Sequence, residues 1–134
     1  MASRFHEDVT NGLVQGALKA LKQYGVTQGN ITVIRVPGAF EIPLALARLL
    51  KQKKFDALVA LGAIIKGETR HDEYLAGAIT KAVLNLSLEH QTSIGFGIIT
   101  AFTLAQAQAR SADNEENRGE HAARAAVEMA LLDN

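Results

Sequence analysis

The sequence has no cysteine. That excludes a disulfide frame, a thiol nucleophile and a thiolate metal site. Nor is there an excess of either charge: 14 lysines and arginines meet 14 aspartates and glutamates. A neutral chain feels no bulk electrostatic pull toward nucleic acid or acidic membranes, and it favours self-association. No apolar run is long enough to cross a bilayer. No cleavable leader is visible at the opening Met-Ala-Ser-Arg, so the expected location is the cytoplasm. Nucleotide fingerprints are missing too. Gly62 and Gly67 lack the G-x-G-x-x-G spacing, and no G-K-S/T phosphate loop occurs. Metal binding is not expected. No pair of the four histidines has i, i+4 spacing. His71, Asp72 and Glu73 are consecutive and cannot converge on one face of a helix.

What is present reads as one globular domain, residues 1–134. A chain of this size buries roughly two thirds of its unfolded surface, enough for a real core. Asp8 or Thr10 can cap a first helix that Gly25 ends. Ile31–Val36 is a β-branched run stopped by Pro37-Gly38. Glu41 to Leu50 reads as a helix, with Pro43 tolerated in its first turn. Ala57–Ile65 is a buried strand. Asp72 to Glu89 is a helix with Leu75, Ile79, Ala82, Val83 and Leu86 inward. Ile94–Thr100 is a third strand. Thr103 opens a helix with Gln106 completing a capping box, and a last helix runs from about Gly119 to Leu132. The order α-β-α-β-α-β-α predicts an α/β fold with a parallel sheet covered on both faces. There are no internal repeats, low-complexity tracts or linkers.

The chemistry concentrates in Gly62 to Tyr74. A buried strand hands over there to a helix through Lys66-Gly67-Glu68-Thr69, with His71 beside the helix start. In open parallel sheets ligands bind at that edge. A helix start offers free N–H groups and a positive dipole end, which suit phosphate. Histidine is the side chain best poised for proton transfer near neutral pH. Against this, a histidine in a loop or cap is often only that. At the other strand-to-helix junction, Gly38 lets a ligand approach the backbone. Glu41 in the next turn is equally well explained as helix stabilisation. Arg110 and Arg118 flank a polar segment and could match phosphate, or pair with Asp113, Glu115 or Glu116. Phe5 precedes any regular element and could stack on a planar ligand. Phe96 on a strand reads first as core. His6, His90 and His121 read as surface residues.

Taken together, several strings resemble the 6,7-dimethyl-8-ribityllumazine synthase family of riboflavin biosynthesis. They are Ser3-Arg4-Phe5, Val36-Pro-Gly-Ala-Phe-Glu-Ile-Pro43, Gly62-Ala-Ile-Ile-Lys-Gly-Glu-Thr-Arg-His71, Phe96-Gly-Ile-Ile-Thr100, Gln106 with Arg110, and Asn117-Arg118-Gly119. The resemblance implies a flavodoxin-like αβα sandwich with strand order 2-1-3-4. It also implies condensation of a ribitylamino-pyrimidinedione with 3,4-dihydroxy-2-butanone 4-phosphate, without metal or organic cofactor. By the same resemblance Phe5 stacks on the pyrimidine, and Ala39, Phe40 and Glu41 hold the ribityl chain. The Ile64–Ile65 backbone edges the ring. Gly67, Glu68, Thr69 and Arg110 hold phosphate, and His71 moves protons. Phe96 and Arg118 close the pocket from a neighbouring subunit of a pentamer, which in some members builds a sixty-subunit shell. Two other readings keep the fold: an oligomeric assembly module without full catalysis, and a binder of flavin-like heterocycles.

The sequence departs from the family pattern in three places. Ala101-Phe102 stands where a threonine and an acid are usual. Arg118 replaces a lysine, and His121 replaces an acid. Almost all of the family's first strand is absent. That strand should lie between Ile31–Val36 and Ala57–Ile65, which are apolar enough to be interior strands. A segment outside this sequence is therefore expected to fill the place: a separate peptide, a strand of another chain, or further residues of the same one.

Overall fold

A computed structural model describes residues 1–67 and 69–132. Among the described residues the chain forms β1 (Ala2–Ser3), α1 (Glu7–Gln23), β2 (Arg35–Val36), α2 (Ile42–Lys51), β3 (Ala57–Ile65), α3 (His71–His90), β4 (Ser93–Ala101), α4 (Leu104–Ala109) and α5 (Arg118–Leu131). The four strands make one parallel sheet in the order β2-β1-β3-β4, the flavodoxin-like arrangement. The β3 strand has its predicted bounds. The α3, β4 and α5 elements match the sequence reading to within a residue at each end.

Two cores cover the two faces. On one, Val9, Leu13, Ala17 and Ala20 of α1 and Ala122 and Ala123 of α5 pack on Leu61, Ala63 and Ile99. On the other, Ile42 and Leu46 of α2 and Ile79 and Val83 of α3 pack on Leu58, Ala60, Ile64 and Ile98. Strands buried on both faces are apolar at successive positions rather than alternating, which is how Ala57–Ile65 reads.

Small residues set the spacing of α1 and α5. A Cβ on Gly119 would stand 2.0 Å from the Leu13 carbonyl oxygen, so the helix backbones nearly touch. The buried Asn117 amide locks the same seam. It donates to the carbonyls of Gly12 (3.1 Å), Ser111 (3.0 Å) and Ala112 (2.9 Å), while its oxygen caps α5 at the Glu120 N–H (3.0 Å). At the rim Lys19 pairs with Asp113, and Tyr24 donates to Glu128. That acceptor raises the Tyr24 phenol above its usual range.

Three expectations are corrected. The first helix starts earlier than Asp8 or Thr10, at Glu7. Its cap is His6, held left-handed at φ 57° without a side-chain cap bond. The Thr10 hydroxyl donates instead to the carbonyls of Glu7 (3.2 Å) and His6 (3.4 Å). Gly25 ends the helix as expected, at φ 82°.

Second, the chain opens on a strand. Ala2 and Ser3 lie between β2 and β3, with Ala2 opposite both Arg35 and Leu61. Third, Ile31–Val36 is not a strand throughout; only Arg35–Val36 is. The central strand starts at Ala2, so the residues before Arg35 lose the ladder that would hold them extended. Ile34 still accepts from the Ala2 N–H at 2.8 Å. The chain's own first residues, not an outside segment, take the upper part of the place between β2 and β3. Below them lies a cavity of about 550 Å³.

Candidate active site

Parallel strands deliver their C-terminal ends to one edge. Here β1 delivers Phe5, β2 delivers Gly38 to Glu41, β3 delivers Gly67 and then Thr69 to His71, and β4 delivers Phe102. Backbone bonds bind these ends together. The Arg4 N–H donates to Val36 O at 2.7 Å, the Phe5 N–H to Pro37 O at 3.1 Å, and the Lys66 N–H to Ala101 O at 2.9 Å. Gly62 allows the close fit of β1 against β3. A Cβ there would meet Ser3 Oγ at 3.1 Å and Ile42 Cδ1 at 3.3 Å. Chain order reverses between β1 and β3, where open sheets hold ligands.

Phe5 and Phe40 are large apolar side chains left about two-thirds exposed at this edge, at 66% and 68%. Exposed aromatics offer planar area to a ligand. His6 lies edge-on to Phe5 with ring centroids 4.5 Å apart. Ala39 and Ile64 are buried in the core and Ile65 is half-buried, so any role at the edge falls to their backbones. Glu41 stands at the cap position of α2 without a side-chain cap bond, and its carboxylate folds back over Gly38: Oε2 would stand 3.2 Å from a Cβ there. Gly67 and Thr69 are exposed, and Thr69 Oγ1 accepts from the His71 N–H at 3.3 Å. His71 is the first residue of α3 and is exposed. Glu68 lies outside the described residues.

Arg110 follows α4, which Thr103 caps by accepting from Gln106 N–H at 3.2 Å. Gln106 Oε1 in turn accepts from Phe102 N–H at 2.9 Å, one residue before the position a capping box uses. Asp113 pairs with Lys19 rather than with Arg110. Among the described residues neither Arg110 nor Arg118 has an ion-pair partner. The Arg118 N–H donates to Arg110 O at 2.8 Å, so their backbones adjoin. Phe96 is apart. It sits opposite Ala60 while Ala101 sits opposite Ile65, which puts it about 17 Å down the strand from the edge. It faces a second cavity of about 430 Å³ between β4 and α3, with Leu84 and Thr100.

Three features escaped the sequence reading. His6 holds a left-handed turn, and histidine is enriched in that conformation, so a signal existed. The Lys66 ammonium lies 5.3 Å from the Phe102 ring centroid, a cation–π pair at the same edge. The register of β3 on β4 makes it, and spacing alone does not reveal it. Asp72 Oδ1, beside His71, is buried without a hydrogen-bond partner among the described residues.

The 6,7-dimethyl-8-ribityllumazine synthase family model matches residues 1–134. The chain belongs to that family. Riboflavin biosynthesis is therefore its setting, and the lumazine synthase strings Val36–Pro43 and Gly62–His71 fall on the β2 and β3 ends of the edge just described.

Proposed function

We propose that this chain, as one domain of residues 1–134, is a transferase-class lumazine synthase of the cytoplasm. It condenses 5-amino-6-(D-ribitylamino)uracil with 3,4-dihydroxy-2-butanone 4-phosphate and releases phosphate and water. One observation carries the reading. Phe5, Phe40, Glu41, Gly67, Thr69 and His71, from three strand ends, share one edge at the β1–β3 reversal. In this scheme Phe5 stacks on the pyrimidine, and the Ile64–Ile65 backbone borders it. Ala39, Phe40 and Glu41 hold the ribityl chain, with Glu41 accepting from its hydroxyls. Phosphate lies on the backbone of Gly67, Glu68 and Thr69 at the start of α3, where the helix dipole favours an anion, with Arg110 beside it.

The 5-amino group adds to the ketone carbonyl. The carbinolamine oxygen needs a proton to leave as water, and the nitrogen must lose one; His71 moves both. Holding two substrates in register contributes up to roughly 7–11 kcal/mol in favourable cases, so the scheme needs no metal or organic cofactor. A second copy completes each site with Phe96 and Arg118, in a pentamer or a shell of pentamers. Phe96, 42% exposed beside the second cavity, supports such a contact. The same apolar surface also suits an assembly module without catalysis.

Formation of the fluorescent lumazine from both substrates is the test. The chain should turn over, and His71→Ala should be slower by on the order of 10²–10⁴ with little change in pyrimidine binding. Lack of product with the unaltered chain favours the assembly module or a heterocycle binder. An alanine variant as fast as the original would remove His71 from the scheme.

A further inference from the structure

Consecutive side chains on a strand point to opposite faces, so adjacent rings meet only where the chain leaves the strand. After β1 that place is His6. The Phe5 N–H is tied to Pro37 O at 3.1 Å. His6 follows in a left-handed conformation, with φ 57° and ψ 57°. Its carbonyl accepts from the Thr10 N–H at 3.0 Å and from the Thr10 hydroxyl at 3.4 Å. Both backbones are therefore anchored, one beside β2 and the other in α1. The turn between them brings the two rings to 4.5 Å between centroids, with 67° between their planes. That is the edge-to-face arrangement aromatic pairs prefer.

The turn by itself does not call for a ring. Glycine takes a left-handed conformation without a Cβ clash, whereas a residue with a side chain is strained there. His6 carries that strain and is half-buried. Among the described residues its ring makes no hydrogen bond and packs on Phe5. Phe5 in turn is 66% exposed. A side chain so exposed can turn about its own torsions, and a ligand stacking on it loses affinity to the ordering of that ring. A ring held in advance removes the loss. We propose that His6 is a positioning residue for Phe5: its ring packs edge-to-face on the Phe5 ring and holds it in one plane, ready to stack on a planar heteroaromatic ligand. The inference rests on the reading of Phe5 as the platform for the pyrimidine. The two histidines of this edge then have different work. His71 moves protons, and His6 acts through Phe5 on binding alone.

The test is a double-mutant cycle, with calorimetric titration of 5-amino-6-(D-ribitylamino)uracil in the absence of the second substrate. His6→Gly keeps the turn and removes the ring. It should bind roughly 2–12-fold more weakly, the scale of one aromatic pair. Its urea midpoint should be unchanged or higher, because the left-handed strain is gone. His6→Asn, which also tolerates that conformation, should show the same loss of affinity. In a Phe5→Leu background, which keeps an apolar contact but no aromatic ring, His6→Gly should change binding no further. Glycine and asparagine variants that bind as tightly as the original overturn the proposal. A loss of equal size in the Phe5→Leu background overturns it too, by making His6 a direct ligand contact. Binding without turnover in the unaltered chain would sink the catalytic reading and leave the role of His6 standing. An unaltered chain that binds no pyrimidine would remove the platform, and the role of His6 with it.

Discussion

Arg110 and Met1 show how differently two charges can be placed. Arg110 has no ion-pair partner among the described residues, so its donors are available to an anion. Replacing it with alanine should weaken inorganic phosphate by about 1.5–3 kcal/mol, the usual contribution of a charge-assisted hydrogen bond. Calorimetric titration checks this, and equal affinities would make Arg110 a surface charge only. The Met1 amine is the reverse case, a cation held where burial disfavours it. Its folded value of about 6 lies below the ordinary 8.0. Between those values the unfolded chain binds more protons than the folded one, so stability rises with pH. The contribution is complete above about pH 8 and is lost as pH falls through 6. Two units correspond to about 2–3 kcal/mol. Urea melts between about pH 5 and 8 should show this slope, and acetylation of Met1 should remove it. A flat profile in the unmodified chain would contradict the burial.

Helices and strands were legible where their signals were local. Ala57–Ile65 declared itself by continuous apolar character. Thr103 and Gln106 declared the start of α4, and Gly25 the end of α1. The sheet edge that carries the candidate site was legible as well, because the βα junctions with Gly38 and Gly67 name it in one dimension. What stayed hidden depends on partners distant in sequence. Ile31–Ile34 has strand composition, yet the ladder that would make it a strand starts only at Ala2. Phe96 looked like core because its neighbours are apolar, whereas its face of β4 is half open. The α1–α5 seam was equally hidden: Gly12 and Gly16 lie four apart on one face of α1, but what they pack on, Ser111 and Asn117, is about a hundred residues away in sequence. It makes a sharp test. Gly119→Ala would force a Cβ to 2.0 Å from Leu13 O. The helices must separate, at a cost of about 1–3 kcal/mol, read as a lower urea midpoint with an unchanged slope. Unaltered stability would mean that the seam is looser than its geometry.

The outer surface carries several large apolar side chains. Leu84, Leu88, Tyr74 and Phe96 are 42–71% exposed on α3 and β4. Contiguous apolar patches on soluble chains mark contact surfaces, and zero net charge gives no repulsion to oppose contact. Sedimentation at micromolar concentration should therefore show assemblies and no dominant monomer. A folded monomer would detach Phe96 and Arg118 from any neighbour's pocket.

The seam between α1 and α5 also governs timing. During synthesis α1 emerges early, and the part of its apolar stripe that meets Ala122 and Ala123 has no cover until α5 follows. From Gln23 to Arg118 a ribosome takes roughly 5–20 s. The β3 and β4 strands, which emerge sooner, cover the sheet-facing part of that stripe first, and the helix that completes the cover is almost the last part to be made.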